Sequence, residues 1–270
     1  MKFFSVLVIA FFLFSCNGFN KVMKNPDPQY KLRMAEKYYV QKKYSLAQQV
    51  YEDIMPSFKG TKEFEDIYYK YAYTAYYQKD YLNAENLFKT YLEVFPNSSR
   101  AEEVEFMRAY TYYKQSPKAP LDQTNTIKAI GMMQTFINTH PGSARNKEAS
   151  DIIDASRKKL EKKDHNAAQL YYDLGQFRAA AVSFTTLLNS YPDTDHGDEY
   201  MLMAIKSYFR FAELSVEEKK TERFEKVVDV CHEFMDRFPQ SSLSKEVERY
   251  LTDSQNNLKK IINEPSKTST

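Results

Sequence analysis

The chain has 270 residues, 43% of them hydrophobic and 27% charged, enough for one large domain or an array of repeats. Only 6 glycines and 10 prolines, set against many Ala, Lys, Glu, Leu and Tyr, favour helix over sheet. With 38 basic and 36 acidic residues, no global field draws nucleic acid or an anionic surface.

The chain opens with "MKFFSVLVIAFFLFSC": one positive residue, Lys2, then an apolar run from Phe3 to Phe14 interrupted only by Ser5. That run suits the core of a secretory signal and falls short of the roughly 20 residues that span a bilayer. Its end, Leu13-Phe14-Ser15-Cys16, resembles the lipobox of bacterial lipoproteins, with the bulky Phe14 as a departure. The resemblance implies a signal peptide over 1–15 and an acylated Cys16 heading a lipidated flexible tether over 16–28. No acidic cluster follows Cys16, so nothing in the tether suggests export to the cell surface. The second cysteine, Cys231, then has no disulfide partner; it lies on the apolar stripe Val227, Val230, Cys231, Phe234 and reads as a core residue.

From residue 29 a frame recurs. FPNS (95–98), HPGS (140–143), YPDT (191–194) and FPQS (238–241) each end a segment alike. Twelve residues before their prolines stand Ala84, Ala129, Ala180 and Val227. An opening residue lies three earlier (Tyr81, Thr126, Phe177, Phe224), and large residues follow at helical offsets (Phe88 and Tyr91, Phe184 and Leu187). Tyr44, Ala47, Tyr51 and Ile54 make an earlier copy whose Pro56 arrives early. Ala35, Ala72 and Ala168 each stand nine residues before the opening aromatic, on a preceding helix. This layout resembles the tetratricopeptide repeat. Small residues let two antiparallel helices cross closely, aromatics fill the gaps between hairpins, and proline stops the second helix. The expected fold is therefore all-α, a tetratricopeptide-repeat superhelical solenoid of about five helical hairpins over 29–255, with a polar C-terminal tail over 256–270.

Successive prolines lie 45, 51 and 47 residues apart, more than the usual 34 or so. "SPKAPLDQ" (116–123) extends the third copy between its helices, a long helix from about 146 to 174 leads the fourth, and "LSVEEKK" (214–220) extends the fifth. In the second copy, Tyr69, Tyr73 and Tyr76 share one helix face, with Tyr77 at its edge. In such arrays that side generally lines the concave groove, which makes these four tyrosines a candidate peptide-binding groove; packing between hairpins is the alternative. In the fifth copy Tyr200, Met203 and Phe211 fall off the small-residue face of "EYMLMAIKSYFRF" and want further cover, a candidate partner surface.

Signal, tether with "NPDP" (25–28) and irregular repeats together resemble the BamD family, lipoprotein subunits of the outer-membrane β-barrel assembly machine. "VEFMRAYTYY" (104–113), "FINTHPGSARNKEASDII" (136–153), "LEKKDHNAAQLYYDLGQFRAAA" (160–181) and "LLNSYPDTDHGDEYMLMAIKSY" (187–208) carry the similarity in order. The aromatic-rich second repeat and the longer fifth are departures. The resemblance implies a protein anchored to the outer membrane through lipid and facing the periplasm. It implies two partners: the barrel-forming subunit (BamA-like), held by the C-terminal half, and unfolded β-barrel proteins, received by the N-terminal repeats. Another tetratricopeptide lipoprotein scaffold, serving peptidoglycan or division proteins, would keep every feature but the barrel partner.

Catalytic chemistry is not expected. His140, His165, His196 and His232 do not pair at i,i+3 or i,i+4, and "HEFMD" (232–236) has Asp where a zinc helix needs its second His. "DTDHGDE" (193–199) reads as a capping turn rather than a calcium loop. No phosphate loop or nucleophile elbow is present. The sequence thus implies no cofactor, metal, small-molecule substrate or nucleic acid.

Overall fold

The computed structural model describes residues 18–263, and every regular element among them is a helix. Ten helices make five hairpins: α1 (Pro28–Val40) with α2 (Tyr44–Phe58), α3 (Phe64–Tyr77) with α4 (Tyr81–Val94), α5 (Ala101–Gln115) with α6 (Thr124–Thr139), α7 (Asn146–Asp173) with α8 (Phe177–Ser190), and α9 (Gly197–Glu213) with α10 (Glu217–Arg237). A further helix, α11 (Ser244–Asn263), packs on α9 and α10. The array divides after Arg157, within α7, into two compact units.

The alanines of the recurring frame do what their size allows. Ala35, Ala47, Ala72, Ala84, Ala129, Ala168 and Ala180 have no exposed surface, because at a close helix crossing a larger side chain would hold the backbones apart. The first unit's cores gather Tyr51, Ile54 and Ile67 in one cluster and Phe88, Tyr91, Phe106 and Met133 in the next. The second unit's cores are built on Phe184 and Leu187, then on Ile205, Phe224 and Phe234.

The repeated ending is a stop followed by a clasp. Phe95, His140, Tyr191 and Phe238, each just before the proline, take φ of −125° to −128° and ψ of 57° to 66°, outside the helical region. The hydroxyl residue that closes each motif then works twice. Its oxygen accepts from the backbone N–H two residues on: Arg100 to Ser98 (2.9 Å), Arg145 to Ser143 (3.1 Å), His196 to Thr194 (3.2 Å) and Leu243 to Ser241 (3.1 Å). Its O–H donates back to a carboxylate on the leading helix of the same hairpin: Ser98 to Glu65 (2.6 Å), Ser143 to Glu102 (2.5 Å), Thr194 to Glu161 (2.5 Å) and Ser241 to Asp198 (2.6 Å). Each motif thus ends one hairpin, starts the next helix and ties the two helices of its own hairpin together. The DTDHGDE segment belongs to this clasp.

Glu65 also accepts from the Tyr91 hydroxyl at 2.8 Å. Its carboxyl is held below the ordinary carboxylate range, first by the Ser98 hydrogen bond and then by that from Tyr91. A carboxyl whose pKa is lower folded than unfolded contributes stability above the unfolded value and loses it as pH falls through the folded one. The first unit should therefore weaken as pH falls below about 4 to 5. Glu65→Gln should flatten that part of the curve. Urea midpoints at pH 7 and pH 4 for both proteins test it; an identical acid dependence would remove Glu65 as the cause.

Four boundaries differ from expectation. Residues 18–24 are helical and packed, with Val22 buried and Phe19 and Met23 against the first core, so the supposed flexible tether is folded from residue 18. Within it NPDP starts α1: the Asp27 carboxylate accepts from Gln29 N at 2.9 Å, and Pro28 opens the helix where no N–H is needed. The helix α2 runs through Pro56 to Phe58, since a proline in a last turn removes little of the ladder. At the far end α11 continues past 255 to Asn263, because Val247, Leu251, Leu258 and Ile261 give it an apolar stripe against the last hairpin. Cys16 and the signal lie outside the described residues.

Candidate functional site

The tyrosines of α3 lie together, at different depths. Tyr73 is buried, 6% exposed, with its ring edge-on to Phe88 at 5.2 Å and its hydroxyl donating to Glu103 at 2.7 Å. The face chosen from the 100° periodicity is real, but its central member is core. Tyr69 and Tyr76 flank it half-buried, and Tyr77 is exposed. The Arg100 guanidinium covers the Tyr69 ring at 4.4 Å and is itself held by Asp66 at 3.0 Å. Tyr76 meets Tyr81 at 5.8 Å and Tyr110 at 6.3 Å, while Tyr77 stacks on Tyr44 at 4.5 Å and meets Tyr39 at 6.2 Å.

Sequence reasoning missed Tyr39, Tyr44 and Tyr110, which extend the patch over three hairpins. The signal was available for Tyr44, which holds the same frame position as Tyr81. Burial pushes the hydroxyls of Tyr69 and Tyr73 up from their ordinary pKa, and that of Tyr76 to about 12, aided by Tyr110 and Tyr81. These groups stay protonated near neutrality. The patch therefore offers aromatic faces with O–H donors, and can stack on side chains and donate to peptide carbonyls.

In the second unit the proposed partner residues are mostly covered from within. Tyr200 is 4% exposed, donates its hydroxyl to Glu161 at 2.8 Å and lies against His165 at 5.5 Å. Met203 packs on the cluster around Ala168 and Phe184. Phe211 is half-buried, with the Arg223 guanidinium 3.9 Å over its ring. The all-round apolar character of α9 has a simple cause. It is packed by α8, α10 and α11, with Phe209 against Tyr250 at 5.1 Å and Lys206 paired to Glu246 at 3.0 Å. A free partner surface does not exist at Tyr200. The exposed large apolar residues of this unit are instead Leu170, Tyr171, Leu174, Val182, Leu214 and Val216, at the end of α7, on α8 and at the α9–α10 turn, with Ile262 near the end of α11. Cys231 is fully buried and its thiol is pushed up to about 12 by that burial, which makes it inert.

No helix among the described residues is long and apolar enough to cross a membrane. The family model for YfiO, described as an outer membrane lipoprotein, matches residues 27–224. No curated protein matches. Among solved structures the TPR2AB-domain:pHSP90 complex of yeast Sti1 is similar at 12% identity and a TM-score of 0.39, over 84% of this chain and 98% of that one. A Rap protein complexed with competence and sporulation factor is similar at 15% identity and a TM-score of 0.37, over 91% of this chain and 81% of that one.

Proposed function

Because the chain belongs to the YfiO family of outer membrane lipoproteins, the BamD type, we propose that it is a lipid-anchored periplasmic scaffold for β-barrel assembly. Its first unit receives the C-terminal segment of unfolded barrel proteins, and its second unit holds the barrel-forming, BamA-like subunit. The observation that carries this reading is the tyrosine patch shared by three successive hairpins. An extended peptide ending in an aromatic residue fits a surface of rings and O–H donors, because each ring stacks and each hydroxyl finds a carbonyl. The exposed apolar residues of the second unit support a separate protein partner there. The chain acts by holding two partners, and no catalytic step is assigned to it.

Co-purification from detergent-solubilised outer membrane tests the assignment. An essential barrel protein with periplasmic repeat domains should come down with this chain. Recovery of peptidoglycan or division proteins in its place would make it a different envelope scaffold.

The anchor is tested separately. Two or more acyl chains hold a protein stably where one does not, so a multiply acylated Cys16 suffices without a spanning helix. Cys16→Ser should fractionate as soluble protein or as unprocessed precursor. Mass spectrometry finding an unmodified, soluble native N-terminus would overturn the anchor.

A further inference from the structure

In the first unit the turns that close the three hairpins lie side by side on one edge. Tyr44 stacks on Tyr77 at 4.5 Å, Gln78 Nε2 donates to Gln48 Oε1 at 2.6 Å, and Gln115 Nε2 reaches the Tyr81 carbonyl at 3.4 Å. The turn segments 40–44, 77–82 and 114–123 carry five lysines, all exposed, against two aspartates. Both aspartates serve their own turns, Asp80 accepting from Asn83 N and Asp122 from Thr124 N. Among the lysines Val40, Leu82 and Ile127 stand 78%, 67% and 59% exposed.

The opposite edge is of mixed charge, with Lys59, Lys62, Arg100, Arg145 and Lys147 beside its acids, and Arg100 and Arg145 paired to Asp66 and Glu103. There α3, α5 and α7 begin, and their first turns carry Glu65, Asp66, Glu102, Glu103 and Glu148; Val94 is its exposed large apolar residue.

Two further observations pick out the basic edge. Lys42 and Lys79 sit in the left-handed region, φ 58° and 63°, two residues before the aromatic that opens the next helix. Gly175 holds that place in the α7–α8 turn, with φ 71°, and glycine is the least strained residue there. The chain twice keeps a lysine where the backbone favours glycine. Secondly, helical residues 18–24 run back along α1, bringing Phe19 to 6.0 Å from Tyr38, at the end of α1 that leads into the first of these turns. Cys16 lies two residues before Gly18, so at most about 7 Å of chain separates a lipid on it from the first described residue.

We propose that this edge rests on the lipid leaflet. The three turns and the start of α6 lay Val40, Leu82 and Ile127 into the headgroup boundary and Lys42, Lys43, Lys79 and Lys118 against anionic phosphates. The edge of mixed charge then faces away from the membrane. The chain is thereby oriented as well as tethered, since an anchor alone leaves it free to tumble while a docked edge fixes which side meets lipid. The inference rests on the proposed acylation of Cys16.

The test uses the full acylated chain in vesicles of phosphatidylethanolamine and phosphatidylglycerol, with a nitroxide at Leu82→Cys or Asn97→Cys. Cys231 is buried, so it does not compete for label. Position 82 should be more accessible to dissolved oxygen than to a water-soluble nickel chelate, and position 97 the reverse. The triple variant Lys42→Glu, Lys79→Glu, Lys118→Glu should still float with the vesicles while position 82 becomes as wet as 97. A chain that floats with 82 as wet as 97 from the start overturns the docked edge and leaves the anchor standing. A chain that does not float overturns both. Protection of 82 that needs no vesicles and rises with protein concentration gives the edge to a second copy. Protection found only in native membranes, and absent in these vesicles, gives it to a protein partner; either result overturns the proposal.

Discussion

Tyr73→Ala is expected to destabilise the first unit by about 3–5 kcal/mol, the usual cost of truncating a fully buried aromatic. The ring fills the space between α3 and α4, where Phe88 meets its edge and Tyr69 and Tyr77 lie at 4.7 and 5.7 Å. Tyr73→Phe separates packing from hydrogen bonding, because it keeps the ring and removes only the donation to Glu103. That change should cost about 1 kcal/mol, since Glu103 is partly exposed and can turn to water. Tyr77→Ala is the complementary control. Its ring is part exposed, so stability should fall by only about 1 kcal/mol for the lost stack on Tyr44, while affinity for a barrel C-terminal peptide should fall by about 1–3 kcal/mol, as for an anchor residue. Melts and peptide titrations on the same three proteins decide between roles. If Tyr73→Ala melts like the parent but loses the peptide, Tyr73 is a ligand contact and its burial is of no consequence to the fold.

The contrast between Tyr73 and Tyr77 also marks where the sequence stops being legible. Hairpin existence and helix type followed from spacing: a small residue at each crossing and a proline twelve positions later are one-dimensional signals of a two-helix unit. The loop 116–123 and the long α7 were legible for the same reason, as departures from a counted period. Depth was not. Tyr69, Tyr73 and Tyr76 share a face by periodicity, yet which of them is covered is decided by the partner helix and the next hairpin, through residues such as Phe88 and Glu103, 15 and 30 positions on from Tyr73. Tyr200 failed likewise. A helix apolar on most sides can be surface awaiting a partner or an inner layer between hairpins, and composition cannot tell them apart. The clasp was half legible. Four copies of Pro-x-Ser or Pro-x-Thr were visible, but their carboxylate partners lie 33, 41, 33 and 43 residues back, so no fixed spacing announced them.

Ending the chain after Arg157 is expected to abolish capture of the barrel-forming subunit while leaving peptide binding by the tyrosine patch intact. The division falls between two sets of cores that share no member: Ala149, Ile152 and Ile153 of α7 pack with the α3–α6 cluster, whereas Ala168 of the same helix packs with Phe184 and Leu187. Cutting at Arg157 therefore removes no buried residue from the first unit. Arrays held together by neighbour contacts tolerate loss of a terminal part when the new end stays soluble. That end, "DIIDASR" (151–157), carries two aspartates and an arginine, which favours solubility. What is lost is every exposed apolar residue from Leu170 to Val216, the surface left for a partner once Tyr200 is recognised as core. Pull-down of the partner's periplasmic domains and peptide titration on one preparation read the two activities independently. Loss of both with retained helix content would mean that the peptide also needs the second unit. Capture retained by the shortened chain would place the docking surface on the first three hairpins, in competition with the tyrosine patch, and overturn the division of labour between the two units.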